Sequence, residues 1–136
     1  MVTAKEIMHQ HTFVPADMSL DKVADLMTEK KIGSVLVKGK KGLGILTERD
    51  INGKVVAKAR DPRKLKAEEI MTSPVKTIGP DTDMYQICAI FTEHHFRRLP
   101  VVEKGEVLGI LTTRDVVKHF VPSLIKETYH FQDFRF

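Results

Sequence analysis

The chain repeats itself at an interval close to sixty-four residues. Glu6-Ile7-Met8 returns as Glu69-Ile70-Met71, sixty-three positions on, and Leu46-Thr47-Glu48-Arg49-Asp50 returns as Leu111-Thr112-Thr113-Arg114-Asp115, sixty-five positions on. Between these anchors Leu20, Val23, Ala24 and Met27 stand at i, i+3, i+4 and i+7, and Met84, Ile87, Cys88 and Phe91 reproduce the pattern sixty-four positions later. That spacing lays one apolar stripe along an amphipathic helix in each copy. A copy of about 60 residues is short for a self-sufficient core, so the two copies together are expected to be the folding unit. A length of 136 residues leaves no room for two independent large domains.

The remaining segments repeat in the same order. Phe13-Val14 and Val75-Lys76-Thr77-Ile78 read as short extended pieces, each followed by a turn bearing Pro and Asp. After each amphipathic helix comes an apolar run, Val35-Leu36-Val37 or Leu99-Pro100-Val101-Val102, then a Gly-containing turn and a second run, 43–46 or 107–111. Such a pair reads as a hairpin of two buried strands. Each second strand leads straight into a second helix, over 48–58 and 113–120, with Pro62 and Pro122 marking the ends. The order is β-α-β-β-α, twice, which predicts a mixed α/β (α+β) fold with the copies packed sheet to sheet in pseudo-twofold symmetry. The expected divisions are 1–58 and 67–121 for the repeats, a polar, Pro-bearing linker over 59–66, and an extension over 122–136 that holds Tyr129, Phe131, Phe134 and Phe136, four of the nine aromatics.

Composition narrows the class further. With 42% hydrophobic and 29% charged residues the chain can build a core and stay soluble. Cys88 is the lone cysteine, so an intramolecular disulfide and a four-cysteine metal site are both excluded. At the position equivalent to Ala24 it reads as a small core hydrophobe. No apolar run approaches the roughly 18 residues of a membrane span, and the first ten residues lack a signal-peptide h-region, so a cytoplasmic protein is expected. Residues 1–66 carry 14 Lys/Arg against 8 Asp/Glu and 67–136 carry 8 against 10, giving halves of +6 and −2. The excess, in Lys38, Lys40, Lys41, Lys54, Lys58, Arg60, Arg63, Lys64 and Lys66, punctuates turns and the linker. A solvated surface explains it; an anionic partner such as nucleic acid is the alternative.

Ile-Met near the start of each copy, the doubled β-α-β-β-α order, and the junctions Gly44-Ile45-Leu46-Thr47-Glu48-Arg49-Asp50 and Gly109-Ile110-Leu111-Thr112-Thr113-Arg114-Asp115 resemble the CBS domain family, named after cystathionine β-synthase. The resemblance covers residues 3–121. It implies a tandem pair, or Bateman module, that binds adenosine-containing ligands in clefts between the repeats and commonly dimerises into a flat disc.

The Thr-x-x-Asp pairs support two readings that coexist. In one, Thr47 and Thr112 are helix N-caps and Asp50 and Asp115 complete capping boxes, with no ligand required. In the other, the helix N-terminus offers N–H groups to a phosphate and the carboxylate accepts hydrogen bonds from a ribose diol. The resemblance assigns Asp50 and Asp115 to ribose hydroxyls, puts Thr47 and Thr112 near ribose or phosphate, and leaves Arg49 and Arg114 as adjacent cations. It gives backbone groups around Thr12, Phe13 and Val14, and around Lys76, Thr77 and Ile78, the adenine edge. The copies differ where Gly33-Ser34 of the first faces Phe96-Arg97-Arg98 of the second. Glycine permits close backbone approach, and guanidinium groups bind phosphate bidentately, so Arg97 or Arg98 is the expected phosphate holder.

Six histidines invite a metal site, but none forms an i, i+4 helical pair with a third ligand in view. No nucleophile elbow, Walker loop or dinucleotide fingerprint is present, so a non-enzymatic module without cofactor is expected. Its ligand is expected to be an adenine nucleotide, AMP first, ADP or ATP next and S-adenosylmethionine behind them. A homodimer and an effector protein are the expected partners, the aromatic extension docking on its own core, on the second subunit or on that effector. The alternatives are a nucleic-acid-associated module and a purely structural dimerisation scaffold.

Overall fold

The structure, a computed structural model, describes the backbone of residues 1–128 and the side chains as far as Pro122. Each of two compact units has its own apolar core: His11–Val75 forms one, and Met1–Gln10 with the chain from Lys76 onward forms the other.

In the His11–Val75 unit, β1 (Phe13–Val14) precedes helix α2 (Leu20–Lys30), and strands β2 (Ser34–Gly39) and β3 (Gly42–Thr47) form the expected hairpin. The sheet order is β1-β2-β3, with β1 parallel to β2 through Phe13↔Leu36 and Val14↔Val37, and β2 antiparallel to β3 with Ser34 opposite Thr47. The apolar stripe of α2 does what its spacing predicts. Leu20, Val23 and Met27 bury against Val35, Val37 and Leu46, while Ala24 stays half-exposed. Lys31 closes α2 in the left-handed region at φ 55°, and its N–H reaches back to the Met27 and Thr28 carbonyls.

The second helix of this unit departs from expectation. It is α-helical only over α3 (Glu48–Ile51), then widens into a π-turn over Asn52–Val56, where the Ala57 N–H reaches the Asn52 carbonyl at 2.8 Å. It stops at Ala59, whose φ of 53° reverses the chain three residues before Pro62. The stretch 59–66, expected as a linker, is built into the unit. Asp61 caps a 3₁₀ turn (Pro62–Lys64), Leu65 enters the core at 7% exposure, and its carbonyl accepts the Leu20 N–H. A short helix, α4 (Ala67–Ile70), then buries Ala67 and Ile70 in the same core.

The other unit opens with α1 (Ala4–Ile7), whose Ala4 is fully buried beside Ile87, Leu99, Val101 and Leu111. Helix α5 (Met84–His94) and the hairpin of β4 (Arg98–Glu103) and β5 (Glu106–Thr112) repeat the first pattern. Cys88 on α5, expected as a core residue, is instead only half-buried and outside the core cluster, like its counterpart Ala24, because both lie at the edge of the apolar stripe. The extended piece over 75–78 contracts to one parallel bridge, Ile78 with Val101, so the sheet has β4 and β5 as its strands. Helix α6 (Thr113–Thr128) continues through Pro122, which the sequence reading took as its end. Proline forgoes one intrahelical N–H bond there, and the helix accommodates the loss. Tyr129, Phe131, Phe134 and Phe136 of the expected extension lie outside the described residues.

Sequence repeat and packed unit are thus offset by one leading segment. Residues 1–10 begin the first repeat yet pack with the second, and residues 67–75 begin the second yet pack with the first. The physical cause is the apolar face of each short helix, too small to bury itself, which docks by an antiparallel bridge: His9 on Ile110 in one unit, Thr72 on Ile45 in the other.

Candidate functional site

Each Thr-x-x-Asp pair sits where the last strand of a hairpin turns into a helix. Thr47 has an extended backbone (φ −116°, ψ 166°), so its side chain can fold over the start of α3. Its hydroxyl accepts the Asp50 N–H at 3.2 Å, and Asp50 Oδ2 accepts both the Thr47 N–H (2.9 Å) and the Thr47 hydroxyl (3.1 Å). The second pair matches it: Asp115 Oδ2 accepts the Thr112 N–H (2.8 Å) and hydroxyl (3.0 Å), while the Asp115 N–H reaches Thr112 Oγ1 at 3.3 Å. The capping-box reading is therefore realised in both copies.

Beyond the caps the copies diverge. Asp50 is 9% exposed, and its second oxygen, Oδ1, accepts the Thr72 hydroxyl at 2.9 Å and the Lys54 ammonium at 3.0 Å. Burial pushes the Asp50 carboxyl up, but the Thr47 N–H, the Lys54 ammonium and the Thr72 hydroxyl together outweigh it and hold it below the usual carboxylate range. Asp115 receives its third partner on the oxygen already used by the cap, His9 Nδ1 lying 2.8 Å from Oδ2. Its Oδ1 has no hydrogen-bond partner among the described residues, and the side chain keeps 15% of its surface in solvent.

His9 and Thr72 are equivalent positions of the repeat, each directly after Ile-Met, and each is carried to its carboxylate by the docked leading segment. From sequence His9 counted only as one of the six histidines weighed for a metal, and Thr72 carried no reading. Registering the two repeats one residue past Ile-Met would have paired them.

The other expected site residues distribute as follows. Ser34 pairs with Thr47 across the hairpin, and the Gly33 carbonyl accepts the Glu48 N–H at 3.1 Å, so both stand at the mouth of the first pair. Arg98 holds the equivalent place opposite Thr112, and the Arg97 carbonyl accepts the Thr113 N–H at 3.1 Å. Arg97, Arg49 and Arg114 are exposed and Arg98 half-buried, with no ion pair to any of the four among the described residues. Phe96 stacks on His94 at 5.8 Å. In β1, Val14 is buried core, the Thr12 carbonyl is taken by the Leu36 N–H, and Phe13 lies under the Lys38 ammonium at 5.3 Å. Ile78 is engaged on both sides by Pro100 and Val102, whereas the backbone groups of Lys76 and Thr77 carry no hydrogen bond among the described residues.

A groove of about 480 Å³ opens between α2 and α3, lined by Ala24, Met27, Lys31, Gly33, Glu48 and Asn52. Asp50 does not line it, so it is a separate feature from the capped carboxylate. Among the described residues no group of three His, Cys, Asp or Glu side chains is arranged to hold a metal, and no helix is long and apolar enough to cross a membrane.

A family model for the CBS domain matches residues 4–56 and again 67–122. An uncharacterized protein of Methanopyrus kandleri is 33% identical over an alignment of 118 residues that covers 82% of this chain and 60% of that protein, so the chain spans about 60% of that relative's length. Hypoxic response protein 1 of Mycobacterium tuberculosis is 30% identical over 122 residues, covering 88% of this chain and 85% of the relative. Among solved structures, a hexameric CBS-CP12 protein from bloom-forming cyanobacteria superposes with a TM-score of 0.80 at 27% identity, over 96% of this chain and 77% of the other.

Proposed function

This chain belongs to the CBS domain family and carries the domain twice, and from that premise we propose that it is a non-enzymatic sensor of adenosine-type ligands. AMP is the first candidate, with ADP or ATP and then S-adenosylmethionine behind it. The observation that carries the reading is the Asp115 carboxylate: Oδ2 is fixed by Thr112 and His9, and Oδ1 is open among the described residues. A carboxylate immobilised by one oxygen and open at the other is a preorganised acceptor for a ribose hydroxyl. Arg98, opposite Thr112 at the start of β4, and its neighbour Arg97 supply cations for phosphate from the same end of the hairpin. The unengaged backbone of Lys76 and Thr77, next to the bridged Ile78, supplies donors and acceptors for a purine edge.

A sensor must also transmit. Ligand binding does so only if it favours one conformation or one partner state over another. The chain would act through an effector protein or through its own assembly, a homodimer being the simplest form. Thermal unfolding of ligand-stripped protein tests the reading. AMP at a hundred times its Kd stabilises a one-site protein by about 2.7 kcal/mol, a shift of several degrees. No shift with AMP, ADP, ATP or S-adenosylmethionine would leave both Thr-x-x-Asp pairs as helix caps and favour the scaffold reading.

A further inference from the structure

The two Asp carboxylates are equivalent in sequence and unequal in occupancy. Lys54, one turn beyond Asp50, extends its ammonium to three acceptors: Asp50 Oδ1 at 3.0 Å, the Ile70 carbonyl at 2.9 Å and Thr72 Oγ1 at 3.3 Å. An ammonium has three N–H donors, so this one is saturated. Both Asp50 oxygens are saturated as well, Oδ2 by Thr47 and Oδ1 by Lys54 and Thr72. In the other copy the residue four beyond the aspartate is His119, whose ring packs edge-on against Phe120 at 5.4 Å, and Asp115 Oδ1 receives nothing among the described residues.

We infer that Lys54 is a built-in occupant of the first carboxylate, filling the place on Asp50 Oδ1 that a ligand hydroxyl would take, so that the chain binds one nucleotide, at Asp115. The inference rests on the nucleotide-sensing reading above and adds its stoichiometry and the residue that sets it. The physical argument is one of replacement. A diol arriving at Asp50 must break a charge-assisted pair and leave the ammonium short of an acceptor, whereas a diol arriving at Asp115 breaks nothing. Losing that pair, with the Lys54 side chain 44% exposed to water, is expected to weaken the first site by about 10-fold relative to the second. The leading segment of the second repeat locks the arrangement, because it supplies both Ile70 and Thr72.

Titration calorimetry of the full chain with AMP decides the matter. The expected result is one binding event per chain in the parent protein, none in Asp115→Asn, and a second event gained in Lys54→Ala; should the alanine variant not fold, Lys54→Gln is expected to gain the same second event. Two events in the parent protein, or one event that survives Asp115→Asn, would overturn the inference and leave nucleotide sensing intact. A count that stays at one in a folded Lys54 variant would overturn Lys54 as the occupant. The absence of heat with AMP, ADP, ATP and S-adenosylmethionine in every protein would overturn the sensing reading itself.

Discussion

Thr47 and Asp50 are joined by three hydrogen bonds within four residues: the Thr47 N–H and hydroxyl both donate to Asp50 Oδ2, and the Asp50 N–H returns to Thr47 Oγ1. The same Thr-x-x-Asp pattern starts the helix in both copies, and under the proposed function the second copy also offers its carboxylate to a ribose, so substitutions there must be read by stability and binding separately.

Thr47→Val and Thr112→Val remove the hydroxyl while keeping the shape. Each is expected to cost about 1 kcal/mol of stability, the ordinary value of a lost N-cap. Urea unfolding followed by circular dichroism measures it, and a loss below about 0.3 kcal/mol would show that the Asp-to-backbone bond alone holds the helix start.

The depressed Asp50 carboxyl makes stability depend on pH in one direction. Its folded value lies below that of the unfolded chain, so its contribution is complete above the unfolded value near 3.8 and drains away as pH falls through the folded value. Lys54→Met removes a charged donor from Oδ1 and is expected to raise the Asp50 value toward the ordinary one and flatten this acid limb. Carboxyl-carbon NMR titration of both proteins checks it; an unchanged Asp50 midpoint would contradict it.

Gly44 and Gly109 occupy the same repeat position, each against the equivalent methionine, but only at Gly109 does a backbone oxygen stand among the nearest atoms. A Cβ on Gly109 would lie 2.8 Å from both Met8 Sδ and the His9 backbone carbonyl oxygen, whereas the three atoms nearest one on Gly44 all belong to the Met71 side chain. Gly109→Ala must therefore push the leading segment away, with an expected cost of about 2–3 kcal/mol, and Gly44→Ala less, because Met71 can change rotamer. Hydrogen exchange of the His9 and Ile110 amides should accelerate in Gly109→Ala. Equal costs at the two positions would refute the distinction.

Leu46 and Leu111 are fully buried at equivalent places in the two cores. Leu46→Ala and Leu111→Ala are each expected to cost about 3 kcal/mol, from lost transfer energy plus a cavity. Comparable midpoint losses in denaturant titrations would confirm equal packing of the two cores.

The local periods were readable because they are set by neighbours in the chain. Helical spacing placed Leu20, Val23 and Met27 inward, paired apolar runs around a Gly-containing turn placed the hairpins, and Thr and Asp three apart marked both caps. The first copy's second helix stops at Ala59, close to its expected end, whereas α6 runs on through Pro122 and the polar stretch 59–66, although it joins the repeats, packs Leu65 into a core.

The sequence by itself determined the duplicated β-α-β-β-α order, the apolar faces and the two capped carboxylates, since each depends on residues within a few positions of one another. Only the tertiary structure decided what completes each carboxylate. Lys54 reaches Asp50 from one turn along the same helix, but Thr72 reaches it across 22 positions and His9 reaches Asp115 across 106, because the short apolar helices that lead the repeats could bury themselves only by docking on a distant hairpin. A period in sequence tells which face is apolar; it carries no information about which surface that face will cover.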